Sequence, residues 1–381
     1  NSGVAASTTD GSSTTGSLSG YGKQLYVEEL FQAGENLQIV IVNSGLDSST
    51  AGMGNYVGFQ NNNTADGSAS QLHLNAEGVV GNNASIALSN MGTYQGNNSG
   101  SNITGVLAGQ QFYSVGSFQG GSDFSLTASN IGTNNGLNQN SNSIGTLGRS
   151  QVQFGDTISF GNNVSLVISN SGINQDPSGI SNSIGFCGGA QLEVDGSFTA
   201  GTNLNIDVSN SRVNAGDSSN VIGYIAGSQI LFGQSCILSD GSTITASNSG
   251  TVDGSQIVFN NGFTLTEGTA TFQAVNSGTI GGSGILFTGE SLGGDVNVIL
   301  ENSSLYVNTT GDTFTVGALN GDSTSLAQSS PPLVIDTDEF VNASFSGVID
   351  DFPSITSSLI KTGLGSQKLS GVNTYNRSDN D

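Results

Sequence analysis

Short segments in which apolar and polar residues alternate recur along most of the chain, and each ends at an asparagine. Sixteen positions, two and four residues before these asparagines, are all apolar, and most residues between them are polar. Alternation with a period of two predicts a β-strand with one buried face. Each asparagine is an even number of residues from the apolar positions, so it lies on the same face as they do. The asparagines are Asn43, Asn90, Asn130, Asn170, Asn210, Asn248, Asn276 and Asn302. We expect their side chains to point inward and to form a ladder of amides.

A second column of residues keeps the same register. It consists of Gln71, Gln111, Gln151, Gln191, Gln229 and Gln256. Apolar residues stand one and three positions after each glutamine, except at Ser114. Two strand columns in register predict an all-β solenoid, a right-handed parallel β-helix of about eight rungs. Neighbouring strands would stack about 4.8 Å apart.

The spacing of the asparagines falls from about 40 residues to 26–28 near residue 302. The longer rungs contain excursions near 46–70, 93–110, 133–150, 173–190 and 213–228. Because these segments repeat in register, they are expected to stack into a lateral flange. Its candidate contact residues are Tyr56, Tyr94, Ile103, Ile144, Ile184, Ile222 and Tyr224. The flange could be a contact surface, or an added strand column that shields one side of the core.

The two ends differ from the repeats. Residues 1–20 are rich in Ser, Thr and Gly and are expected to be a flexible lead. The β-helix is expected over 21–320, with 21–36 as its N-terminal cap. Beyond residue 320 the period is lost, and 321–381 are expected to form a C-terminal cap or linker.

Composition excludes several classes of function. The chain has 6 basic and 29 acidic residues, for a net charge of −23, so no basic stripe for nucleic acid is possible. No segment approaches the roughly 20 apolar residues of a membrane-spanning helix, so no direct membrane span is expected. The sequence implies no cofactor. Asp oxygens suit Ca²⁺, but no tandem motif selects a site, so calcium binding is left open.

Few residues suggest catalysis. The single histidine, His73, has outward parity and is expected to be exposed, which leaves no base for a Ser–His–Asp triad. Glu193 and Asp195 could form a carboxylate pair, although acids on an acidic surface are usually only solvated. We therefore expect no enzyme. Cys187 and Cys236 lie in adjacent rungs but in different columns, and a disulfide between them is possible.

The segment Leu359–Tyr375 reads LIKTGLGSQKLSGVNTY. It resembles the passenger-associated repeat of bacterial autotransporters, approximately L-x-K-x-G-x-G-x-L-x-L-x-G-x-N-T-Y, and Gln367 is its departure from that pattern. The resemblance implies a secreted β-helical passenger exported through an outer-membrane barrel. A weaker likeness to the chlamydial polymorphic membrane proteins rests on Phe59–Asn62, Phe160–Asn163 and Gly188–Ala190.

Three functions are consistent with these features. The first is adhesion by a protein at the bacterial cell surface, with a host receptor, another cell or a glycan as partner. The second is self-association as a structural subunit of an extracellular filament, sheath or matrix. The third is a polysaccharide-active β-helix enzyme. The sequence alone does not separate the first two.

Overall fold

The computed structural model describes residues 2–5, 14–15, 23–48, 56–58, 69–97, 101–136, 142–177, 182–215, 220–289, 295–310, 312–338, 341–351 and 358–373. Over these residues the chain is a parallel β-helix, and every strand pair is parallel. The long coils pass through sheet C, sheet D, sheet A and sheet B in that order, whereas the last described coils pass through sheet C, sheet E and sheet A.

Sheets A and B carry the asparagine repeat and the segment after it. Sheet A has 12 strands, Ser2–Ala5, Gln38–Asp47, Ser85–Tyr94, Ser125–Asn134, Ser165–Asn174, Asn205–Asn214, Ser242–Asn248, Ala270–Asn276, Val296–Glu301, Ala318–Gly321, Asn342–Phe345 and Ser366–Leu369. Sheet B has 8 strands, Thr14–Thr15, Tyr56–Val57, Ile103–Thr104, Ser143–Ile144, Ser183–Cys187, Val221–Ile225, Thr251–Val252 and Thr279–Ile280.

Sheets C, D and E close the other sides of the coil. Sheet C has 11 strands, Leu25–Val27, Leu72–Leu74, Phe112–Ser114, Val152–Phe154, Leu192–Val194, Ile230–Phe232, Ile257–Phe259, Ile285–Gly289, Ser304–Thr309, Leu326–Ser329 and Val348–Asp351. Sheet D has 7 strands, Phe31–Ala33, Gly78–Val80, Phe118–Gly120, Ile158–Phe160, Phe198–Ala200, Cys236–Leu238 and Phe263–Leu265. Sheet E has 3 strands, Phe314–Val316, Leu333–Asp336 and Leu359–Thr362.

The main core lies between sheets A, C and D and consists of stacked columns of apolar side chains. Fourteen of the sixteen positions before the asparagines are buried, whereas Ile39 and Ile41 in the first coil are only half-buried. Phenylalanines stack from coil to coil, as in Phe259 and Phe287, whose ring centres are 4.9 Å apart. Each coil therefore buries its apolar face against its neighbours, and the first coil does so on one side only.

The corner between sheets A and B requires glycine. Gly105, Gly145 and Gly185 have φ near +60°, and a Cβ on Gly185 would lie 2.2 Å from the Ser171 carbonyl oxygen. Glycine adopts this left-handed backbone without steric cost, and its missing Cβ lets the two chains approach. The repeated Ile-Gly and Thr-Gly pairs of the long rungs reflect this corner.

The β-helix extends beyond both expected limits. Ser2–Ala5 pairs with Ser44–Asp47, and Thr14–Thr15 pairs with Tyr56–Val57, so parts of the expected flexible lead are strands. At the other end, parallel pairing continues to Leu369, so the expected boundary at residue 320 is too early. Sheet C has 11 strands where about eight rungs were expected. The last coils are short and lack the asparagine and glutamine columns, which is why the repeat pattern missed them.

Candidate functional site

Seven of the eight asparagines form one continuous internal column. The Nδ2 of Asn130 donates to Oδ1 of Asn170 at 2.7 Å, and the Nδ2 of Asn170 donates to Oδ1 of Asn210 at 2.9 Å. The same bond joins Asn43 to Asn90, Asn90 to Asn130, Asn210 to Asn248 and Asn248 to Asn276. From Asn43 to Asn210, each Nδ2 also donates to a corner glycine carbonyl of sheet B.

Asn302 is not part of this column, so its place in the expected ladder was wrong. It lies beyond the end of its strand with φ of 47° and an exposed side chain, and its Nδ2 donates to the Asn276 backbone carbonyl at 2.8 Å. The strand Val296–Glu301 ends before the asparagine, so the chain turns there and the amide does not point inward.

The glutamines form a second column whose bonds run in the opposite direction. The Nε2 of Gln111 donates back to Oε1 of Gln71, and that of Gln151 donates back to Gln111, each at 2.7 Å. The Nε2 groups also donate across the coil to sheet A carbonyls such as Ser129 O and Ser169 O. The glutamine column therefore ties sheet C to sheet A within each of these coils.

The structure divides the expected flange residues between the core and the surface. Tyr94, Ile144, Ile184 and Ile222 form one buried cluster, so they cannot be contact residues. A neighbouring buried column of Leu107, Leu147, Cys187, Ile225 and Val252 continues from the long rungs into the short ones. The added segments of the long rungs therefore build a satellite core between sheets A and B.

Three flange residues stand apart from that cluster. Ile103 is half-buried, because Thr104 and not Ile103 pairs with Ile144 and takes the inner position. Tyr224 is half-exposed and stacks on Phe186 with ring centres 5.5 Å apart. Its hydroxyl donates to Asp253, and this bond, ahead of burial, raises the pKa of Tyr224 to about 12. Tyr56 lies in a sheet B strand, and its side chain is outside the described part of the structure.

Both cysteines are free and buried, so the possible disulfide is not formed. Cys187 lies in the satellite core, whereas Cys236 lies in the main core on sheet D. Burial raises the pKa of the Cys187 thiol to about 12 and the pKa of Cys236 well above its ordinary value. The two thiols occupy different sheets, which agrees with their different columns in the sequence.

His73 is buried and not exposed, although its parity is outward. Its ring lies between those of Tyr26 and Tyr113, with centres 5.2 Å and 5.0 Å away in edge contacts. Strands stacked about 4.8 Å apart bring outward side chains into contact, and two tyrosines cover a smaller ring between them. The outer face of sheet C thus begins with an aromatic column.

A cleft of about 240 Å³ opens on this outer face, two rungs beyond His73. It is lined by Arg149, Ser150, Gln153, Gly188, Gly189 and Glu193, and we call it the Glu193 cleft. Tyr113, Gln153 and Glu193 occupy equivalent positions on consecutive sheet C strands. The sequence suggested the Glu193–Asp195 pair, but the outward pairing of neighbouring strands was needed to add Gln153 and Tyr113.

Hydrogen bonds fix the polar side chains of the cleft. The buried Gln110 donates to Gln153 at 2.8 Å, and Gln153 donates to Asp195 at 3.0 Å. The hydroxyl of the buried Ser150 donates to the Glu193 carboxyl and accepts from the Ala190 backbone N–H at 3.1 Å. The network holds these groups in one arrangement before any ligand arrives.

The charges of the cleft influence one another. Burial raises the pKa of Glu193, the Ser150 hydrogen bond opposes this shift, and the Asp195 carboxyl adds to it through charge and a hydrogen bond. Burial and the charge of Asp195 also raise the pKa of Tyr113, whereas Arg149 lowers it. These mutual effects place the tyrosine hydroxyl, the two carboxyls and the guanidinium in one electrostatic neighbourhood.

Two features, a metal-binding cluster and a membrane-spanning helix, are absent from the described residues. No group of three or more His, Cys, Asp or Glu side chains in this part of the chain could hold a metal ion. Within the same residues, no helix has the length and apolar character that crossing a membrane requires.

The fold defines the chain as a parallel β-helix protein with internal amide ladders and an open polar cleft on its outer face. No family model, no curated protein and no solved structure matches the chain.

Proposed function

We propose that this chain is the β-helical part of a secreted protein of the bacterial cell surface, which acts by binding another surface. The observation that carries the proposal is the outer face of sheet C, where an aromatic column leads to the preorganised Glu193 cleft. Rigid aromatic side chains and fixed polar groups on a stiff scaffold are common features of recognition surfaces.

The segment that resembles the autotransporter repeat supports this proposal. Its Lys-Thr-Gly-Leu-Gly turn joins the strands Leu359–Thr362 and Ser366–Leu369 of the last coil. Gly363 has φ of +73°, and a Cβ on Gly365 would lie 2.0 Å from the Asp338 carbonyl oxygen. The departure at Gln367 is accommodated, because its Nε2 donates to the Leu319 carbonyl at 2.7 Å.

Adhesion of coated beads tests the proposal. Beads that carry the purified chain are washed under flow over epithelial cells, bacterial cells and immobilised polysaccharides. We expect retention on at least one surface, lost when the chain is unfolded by heat before coating. Retention equal to that of albumin-coated beads on every surface would contradict an adhesive function.

A subunit of an extracellular filament is the second candidate. Val27, Phe31 and Leu37 in the first coil and Leu359 and Leu369 in the last are only partly covered, which favours end-to-end contact between copies. Sedimentation velocity at rising protein concentration distinguishes this candidate, because growing rods would sediment progressively faster. A single unchanging species would contradict it.

A polysaccharide-active enzyme receives less support. Ser150 donates to the carboxyl of Glu193 and Gln153 donates to the carboxyl of Asp195, so neighbouring side chains already bind both carboxyls. In a glycosidase, one carboxyl must act on the bond and the other on water or on the sugar. The arrangement in this cleft is more suitable for holding a hydroxyl group than for cleaving a glycosidic bond.

A further inference from the structure

We propose that the Glu193 cleft binds an uncharged sugar residue of a cell-surface or extracellular polysaccharide. This inference rests on the proposed binding function and names the class of ligand. The cleft is open and has a volume of about 240 Å³, below the ~300–1,000 Å³ of pockets for drug-sized ligands. That size suits one ring of a longer chain, which would continue out of the cleft in both directions.

The polar groups of the cleft match the hydroxyls of a sugar. Each hydroxyl both donates and accepts, so it needs an acceptor and a donor at nearby positions. The carboxyl of Glu193 supplies acceptors inside the cleft, that of Asp195 supplies them beside it, and the guanidinium of Arg149 supplies donors. Because Ser150 and Gln153 already hold the two carboxyls, these side chains would lose little conformational freedom on binding.

The walls of the cleft suit the carbon face of the ring. Gly188 and Gly189 carry no side chains, so a ring can lie directly against their backbone. Tyr113 lies beside the cleft, half-buried on the strand next to Gln153, and its ring is held in edge contact with His73 at 5.0 Å. A fixed aromatic ring offers rigid apolar area for the C–H groups of a sugar.

Charge determines which sugars are suitable. One carboxyl, that of Glu193, and one guanidinium, that of Arg149, line the cleft. The carboxyl of Asp195 lies beside it, bound by Gln153, and the whole chain has a net charge of −23. Uronate, sialate or sulfate groups would be repelled both at the cleft and during approach. A neutral hexose polymer avoids this repulsion and still satisfies the donors and acceptors.

Glycan binding by soluble protein tests the inference. Isothermal titration calorimetry would be performed with oligosaccharides of dextran, mannan and galactan, and with heparin and hyaluronan of similar length. We expect at least one neutral series to bind, and the two anionic polymers not to bind. Absence of binding by all three neutral series, or tighter binding of heparin, would overturn the inference.

Variants locate the binding. Glu193→Gln, Gln153→Ala and Arg149→Gln each alter one polar group of the cleft, and we expect each to weaken binding at least tenfold. Asp207→Asn is the matched control, because Asp207 is an exposed acid on sheet A, and binding should stay within twofold of the unaltered chain. Thermal unfolding of each variant shows whether it is folded, and Arg149→Gln alters an exposed residue.

The same variants separate this inference from the proposed function. The Glu193→Gln variant could adhere normally on beads and yet bind no saccharide in solution. That result would leave the adhesive function in place and show that the cleft is not its site. Saccharide binding that survives all three cleft substitutions would also overturn the inference. Parallel loss of adhesion and of saccharide binding in the cleft variants alone would support both.

Discussion

Single amides inside the coil link neighbouring rungs, and Asn170 shows how much depends on one of them. It is 1% exposed, donates to Asn210 and to Gly185 O, and accepts from Asn130. Its removal leaves polar partners buried without hydrogen bonds, and each such group costs about 1–3 kcal/mol. The chemistry of the residue therefore determines the stability of its coil.

We expect Asn170→Ala to lower the free energy of unfolding by about 3 kcal/mol, because at least two buried polar groups lose a partner. Urea denaturation followed by circular dichroism measures the change. Asn205→Ala is the control, since Asn205 is exposed at the start of the next sheet A strand. Equal effects of the two substitutions would show that the ladder does not stabilise the fold.

The two cysteines give a second prediction at this scale. Because burial raises both thiol pKa values, neither should form the thiolate that reacts with iodoacetamide at pH 8. We expect no adduct on the native chain and two adducts after unfolding in urea without reductant, as measured by mass spectrometry. Labelling that requires reductant in the unfolded chain would instead indicate a disulfide.

Glu193 gives a pH dependence. Burial, opposed by Ser150 and reinforced by Asp195, raises its pKa in the folded state, and Arg149, Tyr113 and the buried thiol of Cys187 are the other ionisable groups near it. A raised folded pKa contributes stability that is fully present below the unfolded pKa of about 4.3 and is lost as pH rises through the folded pKa. The unaltered chain should therefore gain stability relative to Glu193→Gln as pH falls from 7 towards 4.5. Urea midpoints of both chains across this range measure it, and a constant difference would contradict it.

At the scale of elements, the corner between sheets A and B determines whether the long rungs can form. The strands of sheet A continue past the asparagine and press against sheet B, where the backbones approach too closely for side chains. The repeated Gly residues of the long rungs are therefore needed to form the corner between sheets A and B, and not to form the flange surface. The satellite core of Tyr94, Ile144, Ile184 and Ile222 depends on it.

We expect Gly185→Ala to destabilise the chain by about 3 kcal/mol, because φ is +61° and the new Cβ would meet the Ser171 carbonyl at 2.2 Å. Gly34→Ala is the matched control, since a Cβ there meets nothing within 4 Å. Thermal unfolding of the two variants measures the difference. If Gly185→Ala lowered the unfolding temperature no more than Gly34→Ala does, the backbone of the corner would be able to relax around the new Cβ.

At the scale of the whole molecule, the β-helix has no coil that is stable without its neighbours. Asparagine amides donate towards later coils and glutamine amides towards earlier ones, so both columns join each coil to its neighbours. The last coils continue this arrangement without amide columns, and their apolar side chains stack on earlier coils, as at Phe314 against Phe287.

We expect a chain that ends at residue 320 to be less stable than the full chain and to expose apolar surface. Leu326–Ser329 covers Leu305 and Val307, and Leu333–Asp336 covers Phe314 and Val316. Exposure of each such side chain costs about 1.5–3 kcal/mol. Urea midpoints and binding of a hydrophobic dye measure the change. A shortened chain with an unchanged midpoint and no dye binding would restore the boundary at residue 320.

The sequence by itself determined the fold class, the buried strand faces and the asparagine ladder over residues 37–300, because a solenoid repeats one local pattern in every coil. It also determined the net charge of −23. Only the tertiary structure decided the features that do not repeat from coil to coil. It ended the asparagine ladder before Asn302, extended the β-helix to Leu369 and buried His73 between two tyrosines. It also placed four of the seven flange residues, Tyr94, Ile144, Ile184 and Ile222, in a core and assembled the Glu193 cleft. Contacts between side chains of different coils depend on register and corner geometry, which the alternation within one strand does not record.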